Sequence, residues 1–163
     1  MTESQKKHDT TENTSNNPEN TSPEHKGGDY EKCLLTPRAR HYVTQAIIDQ
    51  LIERHDEYDG FVICGYSMAI IGSILADRLN KDLVIVRKNY DSYHSPSNVE
   101  GWTNQKLLFI DDMIFMGETL EHVNREIKQL SSKIVGIGVW RQQVELVGKF
   151  EHIAPLWFKM CLL

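Results

Sequence analysis

The sequence predicts one α/β domain, a doubly wound and mainly parallel sheet of about five strands with helices on both faces. Three observations carry this. Apolar runs that are continuous rather than alternating recur as strand candidates: FVIC, LVIVRK, KLLFI and KIVGIGVW. Segments with helical apolar spacing separate them. An acidic pair, Asp111-Asp112, follows the third run, where a sheet of this kind places its ligands, beyond the carboxyl ends of the strands.

Residues 2 to 29 contain no aliphatic, aromatic or Cys residue. Ordering them would cost backbone entropy with almost no burial to offset it, so residues 1–29 read as a disordered polar tail ahead of a domain at 30–163. Thr36 is a natural helix N-cap and Pro37 suits the first helical position. Val43, Ala46, Ile47 and Leu51 are spaced as that helix's buried stripe. After Gly60, FVIC reads as a strand, GYSMA as a loop and IIGSILADRL as a helix; LVIVRK (83–88) and KLLFI (106–110) are the next strands. Leu120, Val123, Ile127 and Leu130 mark a further helix, and KIVGIGVW (133–140) a fourth buried strand. The last apolar run reads as an edge strand, with Phe150, Trp157 and Phe158 assigned to core or dimer surface.

A chain of 163 residues allows one domain. With 18 basic against 23 acidic residues and no long Lys/Arg run, the broad cationic face needed for nucleic acid is missing. Cys33, Cys64 and Cys161 form neither a metal-ligand spacing nor an even disulfide set and read as reduced thiols. No charged and apolar leader opens the chain, and no apolar stretch approaches the roughly 20 residues that span a bilayer. No membrane partner and a cytoplasmic location are therefore expected.

The stretch LLFIDDMIFMGETL (107–120) sets two carboxylates in the most apolar part of the chain. If 106–110 is a central strand, Asp111 and Asp112 emerge at its carboxyl end. The turn through Gly117 then offers free backbone N–H groups at the start of the next helix, which is a phosphate cradle. Carboxylates that accept hydrogen bonds from vicinal hydroxyls, beside an anion-binding helix end, suit a ribose 5-phosphate. An acidic strand end followed by an ordinary cap fits the same residues.

The same stretch resembles the signature of the type I phosphoribosyltransferases, in which four apolar residues, two acidic ones and an apolar pair precede a Thr/Gly-rich phosphate loop. The order strand, GYSMA loop, helix, LVIVRK strand, long polar loop and acidic signature follows that family's arrangement over about residues 60 to 140. Within it, RKNYDSYHSPSNVEG (87–101) is similar to the orotate branch. The resemblance implies that Asp111 and Asp112 hold the ribose hydroxyls of phosphoribosyl diphosphate (PRPP). It implies that Phe115, Met116, Gly117, Glu118 and Thr119 bind the 5-phosphate and that Gly65, Tyr66 and Ser67 form the diphosphate loop. Arg87 and Lys88 would supply cations to the diphosphate, with Lys88 joining the two aspartates as catalytic residues; the pair also fits a solvated strand end. Ser92, Tyr93 and His94 would lie on a mobile loop. Mg²⁺ would be held mainly through PRPP, with no direct protein ligand, and the partners would be PRPP, a nucleobase and a second copy of the chain in a homodimer.

Trp140 and Arg141, after the fourth strand, offer an aromatic face and a cation that suit an anionic pyrimidine such as orotate; Trp140 also fits as a residue closing the core. The departures from the family pattern are specific. Met116 stands where a Thr is usual, Glu118 where Gly, Lys or Arg is usual, and Asp91 where the orotate branch has its loop Lys. That branch's His position is Tyr93, with His94 one residue late. Phe115 cannot act as the base that purine-salvage members place there. The expected function is a pyrimidine-type phosphoribosyltransferase; the alternative is a catalytically weak PRPP- or nucleotide-binding regulatory protein of the same fold.

Overall fold

Thr36 begins the first helix as its hydroxyl dictates: Oγ1 accepts the Ala39 N–H at 3.2 Å, with Pro37 in the first turn. This computed structural model describes residues 34, 36–88, 97–141 and 147–160. The tail, Cys33 and Cys161 lie outside the described residues. Helix α1 (Pro37–Leu51) runs into a 3-10 turn, Ile52–Glu57, and then comes strand β1 (Gly60–Cys64). Helix α2 (Tyr66–Leu79) leads to β2 (Asp82–Val86), and β3 (Val99–Glu100) precedes β4 (Lys106–Asp111). Helix α3 (Glu118–Lys128), β5 (Lys133–Val139), a 3-10 turn at Val147–Phe150 and β6 (Leu156–Lys159) complete the order.

Among the described residues the strands form one six-stranded sheet in the order β3-β2-β1-β4-β5-β6, parallel except for β3, which pairs antiparallel with β2. The short β3 is the strand that the sequence reading did not anticipate. Two residues carry no period, and their pairing is supplied by Ile85 and Val86 across the sheet. The final apolar run does form the edge strand, β6 against β5.

Continuous apolar strands have two faces to bury, and both are covered. Phe61, Ile63, Leu108 and Ile110 pack with Ile47, Leu51, Ile71 and Leu75 of α1 and α2. Val62, Cys64, Leu107 and Phe109 pack with Leu120, Val123 and Ile127 of α3. At about 25 cal/mol per Å² of apolar area, these two layers are the main favourable contribution to folding. The α1 stripe differs slightly from expectation, running through Val43, Thr44, Ile47, Ile48 and Leu51 with Ala46 only half-buried. Helix α3 stops at Lys128, short of Leu130.

Strand β1 passes by way of α2 to β2 on one side, whereas β4 passes by way of α3 to β5 on the other. The order therefore reverses between β1 and β4, and a crevice opens beyond their carboxyl ends. Cys64 and Asp111 end those two strands.

Candidate active site

A cavity of about 380 Å³ occupies that crevice, lined by Cys64 and Ser67 from the β1 side, Lys88 from the end of β2, and the whole stretch Asp111 to Leu120. Asp111 is half-buried and Asp112 is 4% exposed. The backbone satisfies one oxygen of each: Asp112 N–H donates to Asp111 Oδ1 at 2.9 Å, and Met113 N–H to Asp112 Oδ1 at 2.8 Å. Burial pushes the Asp111 carboxyl up to about 7, opposed by the Asp112 N–H and then by the Lys88 ammonium. Burial also raises Asp112, opposed by the Met113 N–H and by Arg141. Holding two adjacent carboxylates in so dry a place is costly.

The turn after them is built for close backbone approach. Gly117 has φ +86°, and a Cβ there would overlap the Phe150 ring, so both conformation and packing demand glycine. Gly117 is also the N-cap of α3 and supplies no side-chain cap, which leaves the first-turn N–H groups of the helix without that partner. Phe115 and Met116 stand out from the turn at 70% and 69% exposure. Gly65, at φ +81°, makes the turn from β1 into α2 alone, so Tyr66 and Ser67 are first-turn helical residues rather than loop. The tip of the Lys88 side chain lies against Gly65: Nζ would be 3.7 Å from a Cβ built on that glycine. One cation thus faces both the βα turn and Asp111.

Arg87 does not line this cavity. Its guanidinium pairs with Glu100 of β3, its N–H donates to Asn98 O at 2.7 Å, and its carbonyl accepts from His122 Nε2 at 2.9 Å. Adjacent residues of an extended chain point opposite ways, and Lys88 takes the side of the crevice. The expectation for Trp140 is corrected as well. It is 1% exposed within the core on the α1 and α2 face, so no ring face is open to a base. Arg141 is half-buried, its N–H donating to Asp112 O at 2.9 Å and its charge acting on Asp112. An anionic acceptor therefore loses the pair on which its recognition was expected to rest. Ser92, Tyr93 and His94, with Asp91, lie outside the described residues.

Several participants carried no motif. Cys64 lines the cavity, Phe150 backs Gly117, and His122 anchors the backbone at Arg87. Register alone could have found Cys64, one residue before the Gly65 turn. Nothing local marks Phe150, which comes from 33 positions further along the chain than Gly117.

No protein-family model matches the chain, and no curated protein matches it in sequence. Solved structures do match. Orotate phosphoribosyltransferase from Aeropyrum pernix superposes with a TM-score of 0.64 at 15% identity, over 78% of this chain and 77% of that one. Adenine phosphoribosyltransferase from Saccharomyces cerevisiae, complexed with adenine and an imino-altritol bisphosphate, gives 0.61 at 18% identity, over 80% and 82%. Orotate phosphoribosyltransferase from Francisella tularensis gives 0.57 at 20% identity, over 75% of this chain and 66%, just under two thirds, of that one. At these identities the likeness is one of fold. The chain has the fold of the type I phosphoribosyltransferases, with orotate and adenine enzymes among its structural neighbours.

Proposed function

We propose that this protein binds PRPP and transfers its 5-phosphoribosyl group to a nucleobase, releasing diphosphate. One observation carries the reading: half-buried Asp111, buried Asp112 and the N-terminus of α3, which has no side-chain cap, meet at the sheet's switch point, beside Lys88. In this reading the aspartates accept hydrogen bonds from the ribose 2- and 3-hydroxyls, and the Phe115 to Thr119 backbone with the Thr119 hydroxyl holds the 5-phosphate. Lys88 and the turn at Gly65, Tyr66 and Ser67 receive the diphosphate. A base nitrogen then forms the bond to C1 as the C1–O bond to diphosphate breaks; the departing electron pair stays on a diphosphate oxygen that Lys88 stabilises, and the proton that the nitrogen carried passes to the diphosphate.

Mg²⁺ fits this site as an ion carried by substrate oxygens and water, the usual manner for a small hard cation. The local donors are carboxylate oxygens, and among the described residues no three His, Cys, Asp or Glu side chains converge as a cage. When bound, the ion would neutralise charge developing on the diphosphate. A homodimer and a cytoplasmic location belong to the same proposal; no helix among the described residues is long and apolar enough to cross a membrane.

Calorimetry with PRPP and Mg²⁺, followed by a diphosphate-release assay over a panel of bases, tests the reading. Absence of PRPP binding would sink it. Glu118 on the cavity wall and the engagement of Arg87 by Glu100 favour a second reading, a regulator that binds PRPP without turnover. PRPP binding with diphosphate release at background for every base would select that one.

A further inference from the structure

Seven large apolar or aromatic side chains are exposed among the described residues, and four of them, Tyr66, Met113, Phe115 and Met116, follow the carboxyl ends of β1 and β4. Clustered exposure of this kind marks a binding surface, whereas scattered single residues do not. Met113, Phe115 and Met116 also line the cavity, so the patch is continuous with the wall against which a transfer acceptor would lie.

The charge balance of the same cavity is one-sided. Among the described residues that line it, Lys88 is the single cation, against Asp111, Asp112 and Glu118. Arg87 is held by Glu100 and the charge of Arg141 acts on Asp112. An acceptor bearing its own negative charge would meet Glu118 on the cavity wall and compete with diphosphate for Lys88. A flat uncharged ring meets an aromatic face, two thioethers and no such cost.

From these two observations we infer that the acceptor is a neutral heteroaromatic base, held by stacking on Phe115 with Met113 and Met116 beside it, and that carboxylated bases are rejected. The inference rests on the transferase reading for the place of the acceptor, but base binding alone decides it.

The test is titration of the full-length protein by calorimetry or ligand-observed NMR with uracil and adenine as neutral probes and orotate as the anionic one, each with and without PRPP and Mg²⁺. A neutral base should bind at least tenfold more tightly than orotate. Phe115→Ala should weaken it about tenfold, the scale of one base–aromatic stack, and Phe115→Tyr should restore it. Since Phe115 is 70% exposed, both variants should melt with the wild type. Orotate binding as tightly as the neutral bases, no base binding in either condition, or a Phe115→Ala protein with unchanged base affinity would each overturn the inference. A Phe115→Ala change seen only in the mass in solution would assign the patch to a protein surface and overturn it too. Loss of PRPP binding in the wild type, by contrast, removes the transferase reading while the base titrations still decide this one.

Discussion

Replacing Asp111 by Asn should make the protein more stable and less able to bind PRPP, and the stability gain should depend on pH. The folded carboxyl is raised from 3.8 to about 7. A raised folded pKa means that the native state binds the proton more tightly than the unfolded chain does. The resulting stability is fully present below about pH 4 and is lost as the pH rises through about 7. Roughly three units at about 1.4 kcal/mol each give an upper figure of about 4 kcal/mol, of which about 3 falls between pH 5 and 8. Asn cannot ionise, and its oxygen can still accept the Asp112 N–H. All other titrating groups are shared, so subtracting wild type from D111N isolates this carboxyl. Urea unfolding at pH 5 and pH 8 is the assay, with D111N expected to gain about 2–3 kcal/mol on the wild type between the two. The same variant should lose PRPP affinity at least tenfold at pH 8, where the wild-type carboxylate is charged. An advantage that is equal at both pH values, or reversed at pH 8, would refute the desolvation argument; unchanged PRPP affinity would refute the ribose assignment.

Other outcomes follow from the same geometry. Gly117→Ala combines a positive φ with overlap on Phe150 and should cost about 2–4 kcal/mol, read as a lower melting temperature. Lys88→Met should abolish most PRPP affinity while raising the Asp111 pKa further, since it deletes the cation that opposes burial there; a pH titration of D111N against wild type in the Lys88→Met background reads this. Glu118→Gln should tighten PRPP about fivefold, for a like charge worth about 1 kcal/mol at a few ångströms from a phosphate facing solvent, measured by calorimetry at low and high salt. Glu100→Gln frees Arg87 from its partner; an accompanying rise in PRPP affinity would show that the Arg87 guanidinium can reach the diphosphate, and an unchanged affinity that it serves only the β2–β3 pairing.

Part of this protein is written locally along its chain. Period and composition are local properties, so four buried strands, three helices, the Thr36 cap and the placement of Asp111 and Asp112 at the end of a central strand could all be read from neighbouring residues. Gly65 and Gly117 were legible for the same reason: a turn that needs positive φ selects its residue on the spot. Which side chains reach the crevice depends on how the strands and helices pack. Arg87 and Lys88 are adjacent in sequence, yet one meets Glu100 and the other Asp111, because an extended chain divides its neighbours between two sides and only the sheet says what lies on each. Trp140 suited a base or the core, and the packing of α1 and α2 against the sheet placed it in the core. Met116 and Glu118 looked like departures in a phosphate loop; in three dimensions Glu118 leaves the cavity short of positive charge and Met116 stands exposed on its wall. Phe150 backs the loop from a distant crossover, a contact created by folding between residues that no local pattern connects.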